Sequence, residues 1–382
     1  MRSFINTVAV ALAASSLAAA APAQKIVQLP GNFPNLADKA STASTEAGAF
    51  GQLSNIGGKP PKFSDDTITS IELVSLNEII ETFFFKNFLL QLDNSTFLST
   101  LHELDVSKEQ LQAGIESILN VEKLHAINAE TALTNAANNK PPIVPCEFIF
   151  PVDDVKSAVV LANRFTDVVD GVLNDVVAKA IAAGDAGFVP GIVSASQDEA
   201  EQNGGFRTWL HERAQSQPFL TLGSRVFGYS LLQDFIKPGT CGANKDKINL
   251  QVLQPLIADD PSAEDQDITF EFHVQDTRLD NFNGPSGAQS FISKPKTTQC
   301  GNLFINYING LSIISEPVKS CNFGAGDKPS TATAFFPQKE NDIFGSVIAV
   351  LTAGTNFTSV DEVIAATEFG FAALEVQEKP LF

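Results

Sequence analysis

The chain has few of the side chains that carry out hydrolytic chemistry. Its 382 residues include four histidines, and a general base is most often a histidine. It contains no Gly-x-Ser-x-Gly sequence, the turn that presents a serine nucleophile, and no His-Glu-x-x-His sequence, the zinc-binding pattern of many metalloproteases. The sequence therefore gives little support to a hydrolase.

Basic residues are also scarce, with 25 Lys and Arg against 44 Asp and Glu, a formal net charge of −19. A surface of this sign repels phosphate backbones and anionic lipid head groups. We therefore expect no nucleic-acid partner. Beyond residue 23 no run of about 18 apolar residues occurs, so the sequence also predicts no membrane span.

The first 23 residues have the composition of a secretory signal peptide. Arg2 precedes an apolar run at 4–17, and Ala21-Pro22-Ala23 supplies the small residues typical of a cleavage site. The run is too short to span a bilayer. We expect the remaining chain to be secreted into an extracellular, oxidising environment.

Four cysteines, Cys146, Cys241, Cys300 and Cys321, all lie beyond this segment. An even number in an exported chain predicts two disulfides, for which three pairings are possible. We favour Cys146 with Cys241 and Cys300 with Cys321. None belongs to a Cys-x-x-Cys pair, so metal binding by these thiols is not expected.

Two Asn-x-Ser/Thr sequences predict glycosylation of a secreted chain. They begin at Asn94 and Asn356. In an exported protein each would lie at the surface.

Residues 107–137 carry apolar side chains at spacings of three and four, which predicts one long helix with an apolar stripe. Ser107 and Gln110 would form a capping box at its start. Glu122 and His125 are three residues apart and would project from one face of it. This Glu-x-x-His pattern occurs in metal-binding four-helix bundles. An isolated pair of this kind more often lies at the protein surface.

The same periodicity predicts three further long helices and a shorter one. Asp65 or Asp66 could cap the first. With short connections these elements favour a four-helix bundle over residues 65–237. The predicted helices run from after Asp66 to about Leu92, from about Asp153 to Ala183, from after Pro190 toward Arg213, and over 222–236.

The segments on either side of this bundle differ from it in composition. Residues 24–64 are rich in Gly, Pro, Ser, Thr and Ala without a sustained period, which indicates a flexible N-terminal arm. Residues 238–382 contain short β-branched and aromatic runs typical of strands. We expect a smaller, mostly β, sandwich-like domain there and an α+β chain overall. The predicted strands include 268–274, 290–294, 303–308, 333–337 and 346–352.

This order of elements resembles the secreted ferritin-like proteins of fungi, a group described as late-sexual-development or nutrient-stress proteins. Residues 76–83, LNEIIETF, resemble the Leu-Glu-x-x-Glu pattern of the family's first helix. Glu122 and His125 match the Glu-x-x-His of its second helix. Glu199 and Gln202, ahead of an arginine, are similar to the pattern of its fourth helix. Residues 307–312 and 344–347 of the tail are also similar to the family.

The resemblance implies a site for one or two ions of iron or manganese inside the bundle. Its third helix departs from the family, because Thr166 stands where a glutamate is expected. Asp170, one turn further along, could replace that ligand with a shorter side chain. The three glutamates suffice for one ion and are few for two. The candidate metal ligands are Glu78, Glu122, His125, Glu199, Gln202 and Asp170.

The resemblance implies two functional hypotheses, and a third is considered beside them. The protein could bind its metal without catalysis, which we favour, or act as a ferroxidase-like or oxygen-dependent metal oxidoreductase. The alternative is an extracellular or wall-associated structural or stress protein with a degenerate metal site and no bound ion. In that case the C-terminal domain would contact a cell-wall or other extracellular partner.

Overall fold

The computed structural model describes residues 39–53, 62–135, 139–244, 247–273, 299–324 and 328–377. Within these residues the chain is an α+β protein. The predicted signal peptide and the predicted strand at 290–294 lie outside the described residues.

Four long helices make up most of the first half of the chain. Helices α2 and α3 pack closely together, as do α4 and α5, and α2 also contacts α4. The predicted long helices are therefore present, with ends that differ by a few residues. The helices that precede the first strand are α1 (Lys39–Gly48), α2 (Asp65–Gln91), α3 (Lys108–Asn135), α4 (Val155–Ala182), α5 (Val189–Trp209) and α6 (Arg225–Leu232).

The helix ends show how local hydrogen bonds define these elements. The capping box at Ser107 and Gln110 is confirmed, since each side chain accepts the other residue's backbone N–H. The prediction that Asp65 or Asp66 caps α2 was wrong, because the side chain of Ser64 caps this helix by accepting the N–H of Thr67. Helix α5 ends before the predicted position, since His211 adopts a left-handed backbone conformation with φ of 62°.

Helix α1 lies inside the segment that we expected to be a flexible arm. It packs against α3, and Thr45 is buried. Gly48 faces the side chain of Asn120 so closely that a Cβ atom would collide with it. Its sequence of small polar residues has no apolar periodicity, so it gave no helical signal. The helix forms because packing supplies most of the stabilisation of a short helix.

The second half of the chain forms one half-barrel sheet of six strands, with every neighbouring pair antiparallel. The strand order is β1-β4-β3-β2-β5-β6. The described strands therefore form a single sheet and not the two stacked sheets of the expected sandwich. Their bounds are β1 (Gln266–Phe272), β2 (Phe304–Asn309), β3 (Ser312–Asn322), β4 (Ser330–Phe336), β5 (Ser346–Thr352) and β6 (Thr367–Glu375). Two short helices, α7 (Gln338–Asn341) and α8 (Val360–Ala365), flank β5.

Strands β3 and β6 were not predicted. In β3, Pro317 lacks the N–H of a regular ladder, and pairing with β4 shifts register between Val318 and Ser320. Strand β6 is almost continuously buried, so it shows no alternation of polar and apolar residues. In both strands tertiary pairing stabilises a conformation that the local pattern does not indicate.

The sheet and the helices share a hydrophobic core. Ile308, Ile348 and Phe371 from three strands pack in the same cluster as Val169 and Val172 of α4. A second apolar cluster lies within the sheet region and a third between α2, α3 and α4. The sheet thus covers one side of the space between the long helices.

Both favoured disulfide pairings are confirmed. Cys146 is bonded to Cys241 and Cys300 to Cys321, which fits a secreted protein. The predicted glycosylation sites Asn94 and Asn356 are both exposed. In the part of the chain that the structure describes, no helix has the length and hydropathy to cross a membrane.

Candidate metal centre

Four of the six predicted ligands meet between three helices. Glu78 comes from α2, Glu122 and His125 come from α3, and Glu199 comes from α5. One donor atom of each side chain lies within 4.8 Å of the donor atoms of the other three. We call these four residues the Glu–His cluster.

The helices enclose the cluster because each turns a polar position inward near its middle. Helix α2 is buried along most of its length, so Glu78 cannot reach solvent. On α3 the spacing of three residues aligns Glu122 with His125, and Glu122 Oε2 lies 3.1 Å from His125 Nδ1. Glu199 is 1% exposed. The pair that the sequence pattern singled out therefore faces the interior and not the surface.

The imidazole of His125 cannot satisfy all three carboxylates. Its Nδ1 atom lies 3.5 Å from Glu78 Oε2 and 3.6 Å from Glu199 Oε1, distances that are too long for good hydrogen bonds. Glu78 Oε2 and both carboxylate oxygens of Glu199 are buried without a hydrogen-bond partner. Burying such oxygens is costly unless a cation or a donor compensates them.

The ionisation of the cluster reflects this burial. Burial raises the pKa of Glu78 to about 7, although the nearby His125 opposes the shift. Burial also raises the pKa of Glu199 well above its ordinary value, and the charge of Glu122 adds to the effect. Burial alone would lower the pKa of His125, but Glu78, Glu122 and Glu199 together outweigh it and raise that pKa. The cluster thus attracts positive charge, whether protons or a metal ion.

Gln202, another predicted ligand, lies beside the cluster and contacts one of its members. Its Nε2 donates a hydrogen bond of 2.6 Å to Glu122 Oε1 and one of 3.1 Å to Asp198 Oδ2. An outer hydrogen bond of this kind fixes the orientation of a ligating carboxylate. Gln202 is therefore placed to position Glu122.

Asp170, the predicted replacement ligand on α4, is not one of the four residues brought together. Its Oδ1 accepts a hydrogen bond of 2.9 Å from Ser196, and burial raises its pKa to about 7. Thr166 is buried, and its hydroxyl oxygen has no hydrogen-bond partner. Helix α4 thus contributes no carboxylate to the Glu–His cluster.

Glu81 is a further member of this region that we did not predict as a site residue. It is 2% exposed, and its Oε2 accepts a hydrogen bond of 2.9 Å from Asn77 Nδ2. Burial raises its pKa well above the ordinary value, with further increases from Glu199 and Glu122. The available signal was its spacing of three residues from Glu78 on the same helix.

A second buried polar group, which we call the Arg207 network, joins α4 and α5 to strand β6. Arg207 Nη1 lies 2.5 Å from Glu375 Oε1, and Nη2 lies 3.2 Å from Glu212 Oε2. Asn203 donates a hydrogen bond of 2.5 Å to Asp167. Burial raises the pKa of Asp167 to about 6, although the charge of Arg207 lowers it. In this network a guanidinium group pairs with Glu375 and Glu212, while Glu375 Oε2 and Asp167 Oδ2 are buried without a hydrogen-bond partner.

Comparison with known proteins found no family model that matches the chain and no significantly similar curated protein. The assignment of this site therefore depends on its own geometry and chemistry.

Three carboxylates and one imidazole fit a first-row transition metal. Carboxylate oxygens suit manganese and iron, and imidazole suits iron and zinc, whereas soft ions prefer the sulfur ligands that this site lacks. The unpartnered oxygens of Glu78 and Glu199 are the positions that an ion would satisfy.

Proposed function

We propose that this protein binds a transition-metal ion in the Glu–His cluster. The observation that carries the proposal is the convergence of buried carboxylate oxygens without partners on one histidine. Glu78, Glu122 and Glu199 would hold the ion together with His125. When bound, the ion supplies either a redox centre or a Lewis acid.

Iron or manganese is the ion that we propose. Three of the four donors are carboxylates, and the fourth is a single imidazole. The resemblance of the Glu-x-x-His pattern to ferritin-like proteins supports the same assignment and a role in fungal stress response or sexual development. Within this proposal the protein holds its metal without catalysis. Oxygen-dependent oxidation of ferrous ion by the loaded protein would instead make it a ferroxidase.

The test is metal analysis of purified protein after anaerobic reconstitution with iron, manganese or zinc. We expect stoichiometric metal in the wild type and loss of at least nine-tenths of it in Glu199→Gln. The matched control is Glu72→Gln, which changes a buried carboxylate of α2 outside the cluster. Wild-type protein that binds none of the three metals, or a Glu199→Gln variant that binds as well as the control, would refute the proposal.

A secreted scaffold with a degenerate site is the second candidate function. The observation that favours it is Thr166, which leaves α4 without a carboxylate in the cluster. In that case no metal ion would displace the hydrogen bond between His125 and Glu122, and the sheet would contact an extracellular or wall partner. The same metal analysis separates the two candidates, since the scaffold predicts no stoichiometric ion.

A further inference from the structure

The Glu–His cluster receives no permanent positive charge from the protein. Among the described residues, no lysine or arginine forms an ion pair with Glu78, Glu81, Glu122 or Glu199. The main influences on the ionisation of Glu78, Glu81 and Glu199 are burial, one another, Glu122 and His125. An ion bound there must therefore balance the acidic charge by itself.

The geometry defines one ion position. The four donor atoms lie within 4.8 Å of one another, which suits ligands around a single centre. On the α4 side, Thr166 and Glu81 line one small cavity whose other walls are apolar. Glu81 is already hydrogen-bonded to Asn77, and Thr166 carries no charge. This side of the cluster thus offers one carboxylate, that of Glu81, which is fewer than a second ion would need.

Building on the proposed function, we infer that the cluster holds one ion and stabilises it in the trivalent state over the divalent state. Glu78, Glu122 and Glu199 supply three negative charges, and His125 binds as a neutral imidazole. A trivalent ion makes this set neutral, whereas a divalent ion leaves one net negative charge buried. Uncompensated charge in a buried site is costly. If Glu81 ionises, it adds to the same preference.

Gln202 provides a way to change the charge of the site without removing a ligand. Its amide donates to Glu122 Oε1, so Gln202→Glu would replace that hydrogen bond by an additional carboxylate of nearly the same shape against the cluster. The expected change is opposite to that from Glu78→Gln, which removes one charge from the cluster. One variant adds a negative charge and the other removes one. Opposite changes in the two variants therefore distinguish an effect of charge from general damage to the site.

The experiment is a redox titration of the iron-loaded protein with mediators, in which the bound ferrous ion gives one electron to a mediator. We expect Gln202→Glu to raise the ratio of ferric to ferrous affinity about tenfold, which lowers the midpoint potential by about 59 mV for one electron. Glu78→Gln should change the ratio by a similar factor in the opposite direction. Asp170→Asn, a buried acid outside the cluster, should leave the ratio unchanged.

A second measurement covers the case in which Glu78→Gln no longer holds iron. Thermal stabilisation of the wild type by gallium(III), delivered as its citrate complex, is compared with stabilisation by zinc(II). We expect the larger stabilisation with the trivalent ion at equal free concentration. If iron binds stoichiometrically to both wild type and Gln202→Glu, and the ratio of ferric to ferrous affinity is the same in the two, this inference is overturned but the proposed function is not. A wild type that binds no iron and no gallium overturns this inference, and one that also binds no manganese and no zinc overturns the proposed function as well.

Discussion

Two groups of buried acidic side chains, the Arg207 network and the Glu–His cluster, are compensated differently. In the Arg207 network, the guanidinium group lies against Glu375 and Glu212, with Asp167 nearby. In the Glu–His cluster the only basic group is His125, which forms a good hydrogen bond with one carboxylate of three. Helix α5 contributes to both places, which otherwise use α4 and β6 in the Arg207 network and α2 and α3 in the Glu–His cluster. Acidic side chains are buried in both, so the two places differ in charge balance and not in depth.

This difference separates a structural role from a binding role. An acid with its own arginine is stable in the folded protein without help from solution, and removal of either partner leaves a buried charge. An acid without such a partner makes the folded state less stable until a proton or an ion arrives. The same burial therefore stabilises the contact between helix and sheet at one site and creates affinity for a cation at the other.

Replacing the guanidinium should have the largest effect. Arg207→Met removes the partner of Glu375, so we expect a loss of about 3–5 kcal/mol in the free energy of unfolding, measured with denaturant. Lys179→Met is the control, because Lys179 pairs with the exposed Asp361 and should cost no more than about 1 kcal/mol. Equal stability of the two variants would show that the network does not stabilise the fold.

Adding metal should stabilise the protein through the other cluster. At a free concentration one hundred times the dissociation constant, iron or manganese should raise the free energy of unfolding by about 2.7 kcal/mol. Glu199→Gln should abolish this gain, while Arg207→Met should retain it in its folded fraction. The readout is the melting temperature with and without metal under anaerobic conditions, and a gain preserved in Glu199→Gln would argue against the site.

Removing one carboxylate from each place should lower the stability of the metal-free protein at the Arg207 network but not at the Glu–His cluster. Glu375→Gln weakens the pair with Arg207 and should cost about 1–3 kcal/mol. Glu199→Gln replaces a carboxylate whose oxygens have no partner by a neutral amide, so the free energy of unfolding should stay the same or rise by about 1 kcal/mol. Denaturant unfolding at pH 7 measures both, and a large loss in Glu199→Gln would mean that its carboxylate has a stabilising partner.

The metal-free protein should lose stability as the pH rises from about 4.5 to above 7. The pKa of Glu78 is raised to about 7 in the folded protein, so the folded state keeps a proton that the unfolded state has released. Glu199 and His125 have raised pKa values and act in the same direction. One such group changes stability by about 1.4 kcal/mol per pH unit. Glu78→Gln should flatten the profile from urea unfolding, whereas an unchanged profile would place the responsible groups elsewhere.

Part of the Glu–His cluster could be predicted from the sequence. Helical periodicity and the Glu-x-x-His spacing are local, so they correctly brought Glu122 and His125 to one face of a helix. The meeting with Glu78 and Glu199 came from the family resemblance, and the structure brings these residues together. The sequence could not decide whether Asp170 replaces the glutamate that is missing at Thr166. The two residues are one helical turn apart on α4, and packing sets which of the two turns lies beside the other ligands.

The partners of the Arg207 network could not be predicted. Arg207 and Glu375 are 168 residues apart in sequence, and β6 showed no alternating pattern that would have identified it as a strand. Helix α1 and strand β3 were missed for the related reason that neighbouring elements stabilise them. Contacts between distant parts of the chain leave no short-range signal.

The bond between Cys146 and Cys241 closes a ring of chain that contains α4, α5 and α6, and its ends are 95 residues apart in sequence. Glu199 lies inside that ring, while Glu78 and Glu122 lie outside it. A protease that cut the exposed turn between α4 and α5 once would open the ring but release neither fragment. A nicked molecule would migrate as one species without reductant and as two with it, while its separated segments stay tethered next to the remaining ligands.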